Sequence, residues 1–164
     1  MKYVTLIRHA KSDWSRNGLA DFDRPLNPKG KKQAPLMGRR LMERGTIPEL
    51  MLSSPAKRAR KTARLIAREL GIPKHTIVYQ PEVYAAGEET LVEIIGSLPE
   101  HCNHAALIGH NPGISELAAW LCLNSPGRLP ACAVVTLELD SERWQDIHQG
   151  CGHMLFYDYP KKTV

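Results

Sequence analysis

Short apolar runs of strand length alternate along this sequence with longer segments of helical pattern, and that alternation limits the folds open to it. Val4 to Ile7 is the first run, and it stops at Arg8-His9. Further runs cover Leu50 to Ser53, Thr76 to Tyr79, Ala105 to Ile108, Cys132 to Leu139 and Met154 to Tyr157. Between them the pattern predicts helices over Pro28 to Arg44, Pro55 to Leu70, Glu88 to Leu98 and Pro112 to Leu123. Residues 11–27 are polar and hold Gly18, Pro25 and Asn27, so they read as a loop. Gly45 should stop the first helix, and Pro35 should kink it or delay its start. Asp140-Ser141 is expected to turn the chain into Trp144 to His148, making a terminal antiparallel hairpin.

Strands that alternate with helices imply an α/β domain: three layers, a mainly parallel sheet with helices on both faces. The length, 164 residues, is expected to make one domain over 1–164, with a core large enough to need no disulfide or metal. In such sheets ligand sites collect at the carboxyl ends of the strands.

Composition removes several classes of function. No apolar run approaches a bilayer span, and Arg8 and His9 interrupt the apolar stretch at the N-terminus. No membrane association is expected, and a cytoplasmic location follows. Cys102, Cys122, Cys132 and Cys151 form no C-x-x-C pair and read as reduced, buried thiols. His101, Cys102, His104, Cys151 and His153 match no zinc spacing, so no metal site is expected. The net charge of +5 permits an anionic partner. The basic run Lys57 to Lys61 lacks the interleaved aromatics of a nucleic-acid binder, and no nucleic-acid partner is expected.

The strand ends carry the chemistry. Arg8-His9 follows the first strand and His110 follows the fourth, both at the sheet's carboxyl edge. Asn27-Pro28, Ser54-Pro55 and Asn111-Pro112 each pair a capping residue with a proline suited to the first helical position. Such helix starts favour anions. Stepping 100° per residue along 55–70 gathers Lys57, Arg60, Lys61, Arg64 and Arg68 on one side. Arg58 falls on the opposite side with Leu65, Thr62 and Ile66. An arginine on a core-facing edge needs an anionic partner. Glu69 lies about three turns away, so a phosphate at the sheet edge fits better.

These residues carry a resemblance. Leu6-Ile7-Arg8-His9-Ala10-Lys11-Ser12 resembles the Arg-His signature of the histidine phosphatase superfamily. Ser54-Pro55-Ala56-Lys57-Arg58-Ala59-Arg60-Lys61-Thr62 resembles its S-P-x-x-R-A-x-x-T segment, and Gly109-His110-Asn111-Pro112 its second histidine motif. Asp23 to Gly30 is similar to the D-R-x-L-x-x-x-G segment of the short, SixA-like phosphohistidine phosphatase branch. The resemblance implies a phosphoglycerate mutase-like fold and a metal-independent phosphatase without cofactor. His9 would be the nucleophile; Arg8, Arg58 and His110 would surround the phosphoryl oxygens, with Arg24 adding positive charge. His110 would be protonated to help bind the dianion, since nearby phosphate would raise its pKa.

The mutase-like branches carry a glutamate acid before the central helix. Residues 81–90 give no match to that segment: Glu88 and Glu89 suit a helix first turn, and Glu82 is a weak candidate. Alkyl phosphates need a general acid, whereas the imidazole of phosphohistidine is readily protonated near neutral pH. The expected substrate is therefore phosphohistidine on a protein. The alternatives are a small phosphorylated compound or, outside catalysis, a phosphoprotein- or nucleic-acid-binding role. Trp14, just past the catalytic loop, reads as a cover for the core, with a contact surface for a protein substrate as the other reading. The oligomeric state is left open.

Overall fold

A computed structural model of the chain describes residues 1–162. The first apolar run becomes β1 (Lys2–Arg8), whose Val4, Leu6 and Ile7 are buried on alternate faces. Continuous burial of this kind marks a strand covered on both sides. Around it the sheet adds β2 (Leu50–Ser53), β3 (Val78–Tyr79), β4 (His104–Gly109), β5 (Val134–Leu139) and β6 (Gly152–Asp158). The spatial order is β3-β2-β4-β1-β5-β6. The first four run parallel; β5 is antiparallel to both β1 and β6.

Helices α1 (Pro28–Arg44) and α2 (Lys57–Leu70) pack on one face, where Met37, Leu41, Ala63 and Ile66 meet Ile7, Met51 and Ile108. Helices α3 (Glu88–Gly96) and α4 (Gly113–Leu121) cover the other, where Leu91, Ile95, Ile114 and Leu117 meet Leu6 and Leu107. The result is the expected three-layer α/β architecture, a phosphoglycerate mutase-like fold. Among the described residues no helix is long and apolar enough to cross a membrane.

α1 follows its sequence signals closely. Asn27 accepts a hydrogen bond from Gly30 N at 2.7 Å, and Gly45 ends the helix in the left-handed region at φ +73°. Pro35 neither delays nor divides it. The missing N–H removes one bond, while Ala34, Met37 and Gly38 seat the helix on α2. Gly38 permits that contact: a Cβ there would lie 2.9 Å from Glu69 Cβ.

Several boundaries differ from expectation. α2 begins at Lys57 because Ser54 Oγ instead accepts Ala56 N–H and serves His110. α4 begins at Gly113, since the Asn111 side chain donates to Leu129 O at 2.8 Å and accepts from Ser115. Asn111 thus ties down the loop before β5 rather than capping a helix. Of the run Thr76 to Tyr79 only Val78–Tyr79 pairs, after a 3₁₀ turn over Lys74–Thr76.

Trp144 to His148 forms no strand. Trp144–Asp146 is a 3₁₀ turn that buries the Trp144 indole completely and lets its Nε1–H donate to Cys102 O at 2.7 Å. A buried indole needs such an acceptor, and the turn supplies it. The terminal hairpin is formed by β5 and β6.

Candidate active site

Strand register brings the site together. Arg8 pairs with Gly109 across β1 and β4, and Ser53 with Ile108 across β2 and β4. The ladder continues one step past the strands: His9 N–H donates to Gly109 O, and Ser54 N–H to Ile108 O. His9, Ser54 and His110 therefore emerge side by side, with the two imidazole centroids 5.0 Å apart.

His9 is buried, and its Nδ1 lies 2.8 Å from Ala10 O. A carbonyl only accepts, so Nδ1 carries the proton and Nε2 the lone pair. The Ala10 carbonyl is held in turn: Ala10 N–H donates to Thr62 Oγ1, and that hydroxyl donates to Arg58 O. Burial, followed by the nearby His110, Arg58 and Arg8, pushes the His9 pKa down to about 3.

His110 Nε2 is 2.7 Å from Ser54 Oγ, while its Nδ1 is buried without a protein partner. Burial and the Arg58 charge push its pKa down to about 4, against the opposing pull of Asp21. Among protein groups alone His110 is therefore neutral at pH 7, and the expected protonation belongs to a phosphate-bound state. A bound dianion would raise the pKa.

Arg58 is 5% exposed, on the inward face of α2 as helical geometry requires. Its Nη1 donates to Asp21 O at 2.7 Å and its Nη2 to Asp21 Oδ2 at 3.0 Å. Arg24 also turns inward, donating to Ser12 Oγ and to Asp21 Oδ1. Arg8 donates to Leu129 O at 3.1 Å. The Nε atoms of Arg8, Arg24 and Arg58 are all buried and unpartnered among the described residues. A cavity of about 440 Å³ is lined by these groups with His9, His110, Asp21, Tyr84 and Arg128. All five residues expected at the site meet there.

Asp21 and Tyr84 escaped the sequence reading. Asp21 lies in the 3₁₀ turn Asp21–Asp23, inside what reads as plain loop. Tyr84 Oη donates to Asp21 Oδ2 at 2.6 Å. That bond and the Arg24 and Arg58 guanidinium groups hold the Asp21 carboxyl well below the usual carboxylate range. Asp21 makes these contacts and Asp23, the acid of the D-R segment, does not. None of Glu82, Glu88 and Glu89 lines the cavity.

Trp14 is 77% exposed and stacks on Arg24, 3.5 Å from guanidinium carbon to ring centroid. It lines the cavity mouth and does not cover the core. Of the cysteine–histidine set, Cys102 and Cys151 are buried, His104 Nε2 is bonded to Thr5 Oγ1, and His101 and His153 are exposed. Among the described residues, no three His, Cys, Asp or Glu side chains gather as a metal site would need.

Comparison with known proteins agrees with this geometry. A protein of Agrobacterium tumefaciens assigned as a SixA phosphohistidine phosphatase superposes with TM-score 0.82 at 30% identity, over 97% of this chain and 98% of that one. The structure of the protein histidine phosphatase SixA with tungstate shares the fold at TM-score 0.82 and 24% identity, over 96% and 97%. An uncharacterized Mycobacterium tuberculosis protein is 29% identical over 94% of this chain and all of its own length. The model of the histidine phosphatase superfamily (branch 1) matches residues 4–84, which hold Arg8, His9, Arg24 and Arg58, and this chain belongs to that family.

Proposed function

We propose that this protein is a phosphatase in which His9 Nε2 takes a phosphoryl group and passes it to water, and that its substrate is phosphohistidine on a protein. The observation that carries the reading is the His9 tautomer: a neutral imidazole, locked by Ala10 O, inside a ring of guanidinium groups.

In the first step Nε2 attacks phosphorus and the P–N bond of the substrate breaks. The departing imidazole takes its proton from solvent at the cavity mouth. In the second step water attacks the phosphorus on Nε2, phosphate departs, and the lone pair returns to Nε2. The His9 Nδ1–H bond persists throughout. Two easier displacements replace one difficult one. Catalysis here is chiefly positioning and charge stabilisation on the oxygens. Arg8, Arg24, Arg58 and His110 would supply it through their unpartnered buried nitrogens. The complex of a protein of this fold with tungstate, an oxyanion, supports such a pocket.

The substrate class rests on proton supply. Among the described residues Asp21 is the one carboxylate lining the cavity, and it is held ionised. The Tyr84 hydroxyl proton is committed to it, and its pKa is raised. Neither group is suited to protonate an alkoxide. Imidazole leaves without such help.

The test compares a phosphohistidine-bearing carrier protein with p-nitrophenyl phosphate, in wild type and His9→Ala, with chelator present. Fast, His9-dependent loss of phosphohistidine that survives chelation is expected. Turnover of the ester alone would keep the mechanism and reject the substrate.

A further inference from the structure

A second cavity of about 400 Å³ opens beside the first and shares Arg8, His9, Ser12 and Trp14 with it. Its far wall carries Lys11, Lys29 and Lys161, brought together from the loop after β1, the first turn of α1 and the segment after β6. Among the described residues no carboxylate lines this cleft. Among the described residues none of the three lysines makes an ion pair. Lys161 and then Lys11 depress the Lys29 pKa, so the ammonium groups repel one another. Like charges are gathered here at a cost in stability, and no acidic side chain among the described residues pairs with them. The phosphoryl pocket does not use them.

We infer that the cleft is a second anion-binding subsite, which takes a carboxylate or phosphate carried by the leaving part of the substrate. The inference rests on the His9 pocket being the phosphoryl site. Trp14 lies between the two cavities and lines both, offering an apolar face to the portion that joins the two anions. For a phosphohistidine protein, the imidazole would lie against the indole and a neighbouring acidic side chain would reach the lysines. Substrates are thus selected for acidic flanks. The subsite lies open to water, so its contribution is modest and depends on salt.

The test uses two phosphohistidine peptides, one flanked by aspartates and one by asparagines, with wild type and a Lys11→Gln/Lys29→Gln/Lys161→Gln variant. All three side chains are exposed, and glutamine keeps most of each stem, so the fold should survive. In wild type kcat/KM should favour the acidic peptide by roughly ten-fold at low salt. The ratio should approach one in the variant and in wild type at high salt. Equal rates in wild type, or a preference that survives the triple substitution, would overturn the inference. If neither peptide loses phosphate, the phosphohistidine reading is what has failed. The cleft is then read from equilibrium binding of 4-carboxyphenyl phosphate against phenyl phosphate, whose wild-type ratio must likewise collapse in the variant. A ratio of one in wild type, or one unaffected by the substitutions, would again overturn it.

Discussion

The Asp21 carboxylate lies 3.0 Å from Arg58 Nη2 and 2.8 Å from Arg24 Nη2, so one exposed acid aligns two buried arginines. Both guanidinium planes are thereby fixed before any phosphoryl group arrives. Fixed donors cost no reorganisation during reaction. Asp21→Ala is expected to lower kcat/KM by roughly ten- to a hundred-fold, since small misplacement of charge-stabilising groups is expensive. Asp21→Asn should recover part of that loss. Because Asp21 raises the His110 pKa, an NMR titration should find that pKa lower still in either variant. Unchanged kinetics would remove Asp21 from the account.

Ser54 sets the orientation of His110. Its Oγ meets His110 Nε2 at 2.7 Å and is held by Ala56 N–H at 3.1 Å. Ser54→Ala leaves the imidazole without that anchor. One net hydrogen bond is worth about 1 kcal/mol, so kcat/KM should fall by about five- to ten-fold. Ser54→Thr, which keeps the hydroxyl, should fall less. Steady-state kinetics on the preferred substrate checks both.

Stability should fall in mild acid. Both histidines protonate near 6.5 in the unfolded chain, but only at about 3 (His9) and about 4 (His110) when folded. The unfolded state therefore binds more protons between these limits. Above pH 6.5 the two groups make no difference. As pH falls from 6.5 towards 4, each removes up to about 1.4 kcal/mol per pH unit. Asp21, whose pKa is depressed, adds a loss at lower pH still. Urea unfolding across pH 7.5 to 4.5 should show this decline, with a shallower slope in His110→Gln. A flat profile would contradict the neutral assignment.

Gly30 marks a close approach of backbone to backbone. A Cβ at that position would lie 2.1 Å from Lys11 O. The same carbonyl accepts Asn27 N–H and helps seat the loop that follows His9. Gly30→Ala must displace that loop, at an expected cost of about 1–3 kcal/mol in stability. Activity should fall as well. Denaturant unfolding and kcat measured on one preparation test both effects.

Residues attached to a regular element could be read from the sequence. His9 and His110 follow apolar runs that become β1 and β4, and Arg58 obeys the period of α2. Such positions are fixed by local pattern. Asp21 is hidden because two of its three side-chain partners come from elsewhere in the chain: Arg58 lies 37 residues on and Tyr84 63, with only Arg24 nearby. Ser54 and Asn111 have the local pattern of caps, whereas tertiary contacts claim them for His110 and Leu129. Thr62 left a faint signal, an inward-facing hydroxyl four residues after Arg58, and its bond to Ala10 is visible only in three dimensions. Trp144 shows the same limit in the fold, since its hydrogen bond to Cys102 outweighs any local strand pattern.

Direct trapping of the phosphoenzyme tests the central claim. Wild type and His9→Ala would be mixed with a labelled phosphohistidine carrier, quenched in alkali within milliseconds, and the site of label determined by peptide mapping and phosphorus NMR. The account predicts a transient, alkali-stable and acid-labile phosphate on Nε2 of His9, absent from His9→Ala. Phosphate on Nδ1 or on another residue, or turnover that persists in His9→Ala, would contradict it.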